Sequence, residues 1–299
     1  MLLFPNASSL YTQHISQVNG RGLSPALWRH LTTGTAAPDG SGGGIWFGDD
    51  FNNFSMNQAG DASGALALPT IQAVGTGTYH AYIDVGASAV QLVSDTAADW
   101  GGVVRLIGGD TDDDTMVIGT PEFLGYDVAQ TLTTDPGQKL TIFEARVRLT
   151  NVTDGSAFIG LASKDMIANA ALVASGDGGP LAASNALGFN VVEGDPDGWD
   201  FIHQATGQAE VRTASMQDAV ASTWYKLGFV IDPTAPAAKR VKIYVDNVES
   251  STYITATAVE GTTFPADVGL GLVAATMTET NGTEEKVLDI DWWAVYQAG

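Results

Sequence analysis

The 299-residue chain contains no cysteine. No disulfide can therefore brace the fold and no thiolate can bind a metal, so stability must come from packing. A hydrophobic content of 44% is ample for such a core. The four histidines, His14, His30, His80 and His203, stand alone, without the His-x-x-x-His spacing of a helical zinc site. The sequence thus argues against a structural zinc ion.

Basic residues are scarce. Lys and Arg number 13 against 34 Asp and Glu, which gives a formal net charge of −21. This balance argues against nucleic acid, whose phosphates need basic partners, and against anionic membrane surfaces. It favours solubility at high local concentration. The alternative is an acidic surface without a specific meaning.

Long apolar runs are also missing, and none approaches the roughly 20 residues of a membrane helix. The opening residues, Met-Leu-Leu-Phe-Pro-Asn, have neither a basic region nor an apolar run of a signal peptide's length. We therefore expect a protein that is made and used without export, or released by lysis.

Helix signals are few: within the main body, only Lys164–Ala174 and Ser215–Ser222 look helical. Short strand-like segments separated by turn residues recur at spacings near ten. The closing segment, Val287–Gln297, alternates between two faces. One predicted face holds Leu288, Ile290, Trp292, Ala294 and Tyr296, and the other holds Asp289, Asp291, Trp293 and Val295. The pattern predicts an all-β, two-sheet antiparallel β-sandwich.

Residues 1–48 differ in composition from the rest of the chain and are interpreted as an N-terminal arm with a Gly-rich linker. The sandwich follows over residues 49–299. Whether residues 49–125 form a small additional lobe stays open. Within the arm, Leu23, Leu27 and Trp28 share helical spacing, after Ser24 and Pro25 at the start of the turn. We expect the arm to dock on a neighbour or on the domain's own flank; the alternative is a disordered tail.

Five segments follow one another in a recognisable order. They are Phe143–Leu149 (FEARVRL), Ala157–Leu161 (AFIGL), Trp224–Gly228 (WYKLG), Val241–Val248 (VKIYVDNV) and Asp289–Gln297 (DIDWWAVYQ). In this order the chain resembles the concanavalin A-like lectin/glucanase superfamily, which includes laminin-G-like modules and laminarinase-type glucanases. The resemblance implies a jelly roll over residues 49–299, with Asp49–Phe54 beside the terminal strand. Asn247 replaces the usual hairpin glycine, and Asn also tolerates a positive φ.

Glucanases of that superfamily carry their carboxylates on one strand as Glu-x-Asp-x-x-Glu, and this pattern is missing. A retaining hydrolase needs two carboxylates about 5–5.5 Å apart. Glu144 has Arg146 two residues on, which predicts an ion pair on one face of a strand. We therefore expect no catalytic residues and no enzymatic activity.

Two acidic loops, Asp110–Asp114 and Gly194–Asp200, have the oxygen ligands that calcium prefers. The second provides Asp195, Asp197 and Asp200 as a candidate calcium site, and calcium-binding relatives among laminin-G-like modules support it. Neither loop has the EF-hand pattern, and Asp and Gly also dominate turns for conformational reasons. Solvated turns are the alternative, and no other cofactor is expected.

Three functions remain. The first is a virion structural protein: a bacteriophage capsid decoration (cement) protein, assembled in the host cytoplasm, that binds the major capsid protein of the shell. Phe4, Leu23, Leu27 and Trp28 are its predicted partner-binding anchors, and a homotrimer is expected. The second is a lectin-like module that stacks a host glycan on Trp46, Trp100, Trp199 or Trp293, although tryptophans in sandwiches are more often core. The third is a divergent glycan hydrolase or lyase.

Overall fold

A computed structural model describes the chain over its strands and several connections. The described residues are 22–30, 44–49, 51, 70–74, 79–83, 89–93, 102–109, 114–120, 122, 139–153, 155–164, 166, 184–192, 198–265, 268–278 and 286–298.

These residues form sixteen strands and little helix. In chain order the strands are β1 (Gly44–Asp49), β2 (Thr70–Val74), β3 (Tyr79–Ile83), β4 (Ala89–Val93), β5 (Val103–Ile107), β6 (Thr115–Gly119), β7 (Thr141–Leu149), β8 (Gly155–Ala162), β9 (Ala186–Val191), β10 (Trp199–Gln204), β11 (Val211–Gln217), β12 (Trp224–Ile231), β13 (Val241–Val245), β14 (Val248–Ile254), β15 (Gly271–Thr278) and β16 (Val287–Ala298). The helices are α1 (Pro25–Trp28), a 3-10 turn at Ala237–Lys239 and α2 (Ala256–Val259).

The strands make two antiparallel sheets of eight. Sheet A has the order β14-β13-β12-β7-β16-β5-β4, with β1 also pairing to β16, and sheet B has the order β11-β10-β9-β8-β15-β6-β3-β2. Four phenylalanine rings join the two sheets. The ring centroids of Phe143 and Phe229, both in sheet A, lie 5.2 Å apart. The Phe201 ring of sheet B lies 5.5 Å from Phe229 and 5.3 Å from Phe189, again between centroids. The predicted two-sheet antiparallel sandwich is confirmed.

The terminal strand β16 lies in the middle of sheet A, between β7 on one edge and both β1 and β5 on the other. A bulge at Asp291 places two residues of β16 opposite one of β7 and reverses the side-chain alternation. Leu288 and Ile290 point into the core before the bulge, and Trp293 and Val295 do so after it. The predicted faces are therefore wrong beyond the bulge: Trp292, Ala294 and Tyr296 lie on the outer side of the sheet.

The start and the end of the sandwich lie side by side, as the resemblance implied. Strand β1 pairs with Trp293–Ala298 of β16, so the pairing begins at Gly44, five residues before the expected strand. The junction is closed by the rings of Phe51, Tyr79 and Trp293, whose centroids lie 5.6–5.9 Å apart. Asp49 accepts the Tyr79 hydroxyl at 2.5 Å and the Phe51 backbone N–H at 2.7 Å.

The strands of residues 70–119 extend both sheets: β4 and β5 belong to sheet A, and β2, β3 and β6 belong to sheet B. The helix predicted over Ser215–Ser222 is wrong, because Ser215 lies in β11, where its φ of 58° marks an irregularity in the pairing with β10. Most of Lys164–Ala174 lies outside the described residues.

At one side wall of the sandwich, both described edge strands are irregular. β11 places extra residues against β10 between Trp199 and Phe201, and β14 does the same against β13 between Lys242 and Tyr244. The two edges are close, since Ser250 Oγ lies 4.0 Å from Met216 Sδ. Bulges of this kind are a common protection of open edges against pairing with another chain.

Candidate functional site: a docked N-terminal segment

Residues 22–30 pack on the outer side of sheet A, and we call this stretch the docking segment. Its Leu23, Leu27 and Trp28 are 6%, 0% and 2% exposed. They cluster with side chains that point away from the sandwich core: Leu140, Ile142, Val230, Tyr244, Trp292 and Ala294. The segment fits this surface, which we call the groove, because β12 carries a glycine where the segment approaches. A Cβ at Gly228 would stand 2.4 Å from Leu27 Cδ1.

Glu144 is the polar centre of the groove. It lies directly across from Gly228 in the β7–β12 pairing and is 1% exposed. Its Oε2 accepts the Ser24 backbone N–H at 3.0 Å and the Trp28 indole N–H at 2.6 Å. Burial raises the pKa of Glu144, although the hydrogen bonds from Ser24 and Trp28 and the charge of Lys226 act in the opposite direction. A buried acid thus links the segment to the sheet at two points.

Polar contacts also hold both ends of the segment. At the beginning, Lys226 Nζ donates to the Gly22 carbonyl at 3.2 Å. The Ala26 N–H donates to Asn247 Oδ1 at 2.7 Å. Asn247 has a φ of 69°, which confirms the positive φ expected in the β13–β14 hairpin. At the end, Arg29 lies 3.6 Å from Glu249.

The last residue of the segment, His30, lies within a titratable cluster. Its Nε2 is 2.9 Å from the Tyr244 hydroxyl, which donates to Glu249 at 2.9 Å, so the phenol oxygen accepts from His30. Its Nδ1 is 3.8 Å from Asp232, which also binds Lys242 Nζ at 3.0 Å. Burial lowers the pKa of His30 to about 4, and Lys242 adds to the shift. The imidazole is therefore neutral at ordinary pH.

The structure brings three of the four predicted partner-binding residues together, on the protein's own flank. Leu23, Leu27 and Trp28 contact sheet A, and Phe4 lies outside the described residues. For residues 22–30, the structure has the intramolecular one of the two docking modes expected for the arm. These three side chains are covered in this conformation and offer no free surface to a partner.

Beside the groove, the outer side of sheet A carries a row of ion pairs. Asp289 is fully buried and accepts two N–H groups of Arg105 at 2.7 and 2.9 Å and two of Arg148 at 2.5 and 3.1 Å. Arg146 binds Asp291 at 2.6 Å. The predicted Glu144–Arg146 ion pair is therefore wrong, because Asp291 holds the arginine and the docking segment holds Glu144. The guanidinium carbons of Arg146 and Arg148 lie 4.4 and 4.6 Å from the centroid of the Trp224 ring.

The outer side of sheet B carries a buried apolar cluster. Val117, Phe158, Ile202, Val273 and Met277 are at most 1% exposed and form a cluster separate from the sandwich core. The four central strands of this sheet, β9, β8, β15 and β6, contain no Asp or Glu. These strands therefore cannot supply the neighbouring carboxylates that a retaining hydrolase requires.

The candidate calcium residues are only partly described. Asp195 and Asp197 lie outside the described residues. Asp200 is 1% exposed; its Oδ1 accepts the Ser215 N–H at 2.7 Å and its Oδ2 lies 3.3 Å from Arg212. Within the part of the chain that the structure describes, no group of three His, Asp or Glu residues could hold a metal ion. Calcium binding by the 194–200 loop stays a prediction.

The tryptophans proposed as sugar platforms are also only partly described. Trp199 and Trp293 are fully buried in the core, as is usual for tryptophan in a sandwich. The side chains of Trp46 and Trp100 lie outside what the structure describes. Among the described tryptophans, Trp224 retains partial exposure, and the two arginines already flank its ring.

Comparison with known proteins gives solved structures only. No family model and no curated protein matches the chain. A protein of unknown function from Shewanella oneidensis MR-1 is similar over 92% of this chain and 94% of its own, at 15% identity and a TM-score of 0.45. An endo-1,3-beta-glucanase from Streptomyces sioyaensis matches at 13% identity, 84% and 96% coverage and a TM-score of 0.41. Peanut lectin matches at 11% identity, 85% and 97% coverage and a TM-score of 0.44.

These likenesses include a glucanase and a lectin, the two kinds of protein named by the sequence resemblance. With identities of at most 15% and TM-scores below 0.5, they carry no argument about activity or ligand. The sandwich itself rests on the sheet order and the shared core. No helix in the described part of the chain is both long and apolar enough to cross a membrane.

Sequence reasoning missed the groove, although it found the segment. Gly228 and Glu144 are 84 positions apart and become neighbours only through the β7–β12 pairing. One signal was available: Glu144 is an acid in a strand that otherwise alternates between apolar and basic residues. Its partner could not be read from the chain, because the two donors are 116 and 120 residues away.

Proposed function

We propose that the protein is a non-catalytic assembly protein, and in its most specific form a capsid decoration protein of a bacteriophage. The observation that carries the proposal is the docking segment, which fixes the N-terminal region to sheet A through Glu144 and Gly228. Anchoring of this kind suits a chain whose N-terminal residues contact a partner. In this proposal the residues before Gly22, Phe4 among them, reach the shell, and Leu23, Leu27 and Trp28 hold them to the sandwich.

The non-catalytic part of the proposal is supported by sheet B. Its four central strands lack carboxylates, and its outer apolar side chains are buried. A catalytic cleft needs an accessible surface with convergent acid and base groups. Neither the covered groove on sheet A nor the buried apolar cluster of sheet B provides one among the described residues.

Co-sedimentation tests the proposal. Phage capsid shells assembled without this protein are mixed with the wild-type protein, Phe4→Ala, Glu144→Ala and the control Asp218→Ala, which changes an exposed acid. We expect the wild-type protein and the control to pellet with the shells, and the other two variants to lose at least tenfold in occupancy. Equal occupancy for all four proteins, or no pelleting of the wild-type protein, would contradict the proposal.

A glycan-binding module is the second candidate, and one observation favours it. Asn190 is 3% exposed, lies opposite Asp200 across the β9–β10 pairing, and its Oδ1 has no hydrogen-bond partner. A sugar hydroxyl is a donor that would satisfy this oxygen. A glycan array separates the two candidates: retention that is lost in Asn190→Leu but kept in Glu144→Ala would favour the module.

A further inference from the structure

The contacts between segment and groove do not depend on the two belonging to one chain. Each joins residues 22–30 to a strand or hairpin more than a hundred positions away, as in Ser24 to Glu144 and Ala26 to Asn247. The buried anchor is a tryptophan with its N–H satisfied, the kind of residue that dominates protein–protein interfaces. An identical segment from a second copy would make the same contacts.

The connection between segment and sandwich allows either arrangement. Residues 31–43, rich in Gly and Thr, separate His30 from Gly44. Gly44 pairs with Ala298, and His30 lies beside Asp232 at the same end of sheet A, with β16 and β7 between. Three strand spacings amount to about 14 Å. Thirteen residues span at most about 45 Å at full extension, which is ample to reach the protein's own groove.

The groove of the same chain is therefore filled first. A segment tethered to its own groove has an effective concentration on the order of millimolar, so another copy competes only when copies are crowded to a similar level. Neighbouring copies bound side by side on a capsid shell would be crowded to that level. The same contact would then connect copies without any new surface.

Edge-to-edge pairing is obstructed at one side wall. The open strands β11 and β14 lie there, and both are bulged. Bulged edges pair poorly with a second chain. Among the described surfaces, the segment and the groove are the pair whose complementarity is demonstrated by contacts already made.

We propose that the groove over Gly228 and Glu144 binds the docking segment of a second copy of this chain when copies are crowded, so that subunits become linked by exchanged segments. The proposal deepens the assembly function and rests on it for its biological setting. It requires no shell to operate, because both binding surfaces belong to this chain.

Two full-length variants with complementary defects test the exchange. The first, Leu27→Ala with Trp28→Ala, has a defective segment and an intact groove. The second, Glu144→Ala with Gly228→Val, has an intact segment and a defective groove. Neither can dock within or between its own copies, but in a mixture the second can insert its segment into the first. Sedimentation velocity is measured for each variant alone and for the equimolar mixture.

We expect each variant alone to sediment with the mass of one chain, 31.1 kDa, and the mixture to contain a species of twice that mass. A mixture that stays at the mass of one chain overturns the proposal. If the groove variant loses its near-UV circular dichroism, a peptide of residues 21–31 is titrated into the segment variant instead. Saturable binding supports exchange, and absence of binding overturns it.

Shell co-sedimentation remains a separate measurement. Segment exchange without shell binding would refute the capsid role and support the proposal that exchanged segments link the subunits. Shell binding without exchange would keep the capsid role and refute the exchange.

Discussion

Trp28 donates its indole N–H to Glu144 Oε2 at 2.6 Å across 116 residues of sequence, and both side chains are almost fully buried. The same oxygen accepts the Ser24 backbone N–H. One acid on the outer side of sheet A therefore satisfies two donors of the docking segment. This contact makes residues 22–30 of the N-terminal arm part of the folded domain.

Removing the acid should undock the segment. Glu144→Ala leaves the Ser24 N–H and the Trp28 indole N–H without their acceptor, which costs about 1–3 kcal/mol in the free energy of unfolding. Glu144→Gln keeps an acceptor oxygen and should cost less than half as much at neutral pH. Urea unfolding of both variants checks this, and equal losses for the two would contradict the role of Glu144 as acceptor.

The contribution of Glu144 should depend on pH. Because burial raises its pKa in the folded protein, the folded state binds the proton more tightly than the unfolded state. Its contribution to the free energy of unfolding is therefore largest below its unfolded pKa, near 4.5, and falls as the pH rises through the folded pKa. The stability difference between wild type and Glu144→Gln, measured from pH 4 to 8, should shrink with rising pH. A constant difference would show that the folded pKa is not raised.

His30 should act in the opposite direction. Its pKa is lowered to about 4, so the unfolded state takes up a proton between pH 6.5 and 4 that the folded state refuses. Stability is lost over that window as the pH falls. An NMR titration of the imidazole should give a midpoint far below 6.5, and His30→Gln should lose less stability than wild type between pH 6.5 and 4. A midpoint at 6.5 or above would mean that His30 is solvated rather than packed against Tyr244.

The ion-pair row beside the groove gives an independent prediction. Asp289→Ala removes the common partner of Arg105 and Arg148 and should cost about 3–5 kcal/mol in the free energy of unfolding. Asp218→Ala changes an exposed acid and should stay within about 0.5 kcal/mol of wild type. Thermal and urea unfolding of the two variants provides the check. Similar small effects for both would mean that solvent compensates the arginines.

The sequence predicts the sandwich well because strand alternation and turn spacing are local signals. It fails at β16 because a single bulge at Asp291, invisible in the alternation, exchanges the roles of Trp292 and Trp293. It also fails at Ser215, where a bulged edge strand has the composition of a helix. Local patterns do not encode either irregularity, since each is fixed by pairing with a distant strand.

Of the candidate site, the sequence predicts the docking segment but not the groove that receives it. Helical spacing identifies Leu27 and Trp28 as anchors, because they fall on one side of a single helical turn. The receiving surface depends on the absence of a side chain at Gly228 and on an acid at Glu144. Gly228 carries no signal in the sequence, and the unusual acid at Glu144 does not reveal its partner until β7 and β12 are placed side by side.

Proximity of segment and sheet is the most direct test of this account. The chain has no cysteine, so Pro25→Cys with Val248→Cys provides two unique exposed thiols beside the Ala26–Asn247 contact. A short bismaleimide should join them rapidly within one chain in dilute solution, increasingly between chains as the protein is concentrated, and far more slowly when Glu144→Ala is added. If the cross-link forms no faster in the double-cysteine protein than in its Glu144→Ala derivative, the segment is not held on sheet A by Glu144, and the account fails.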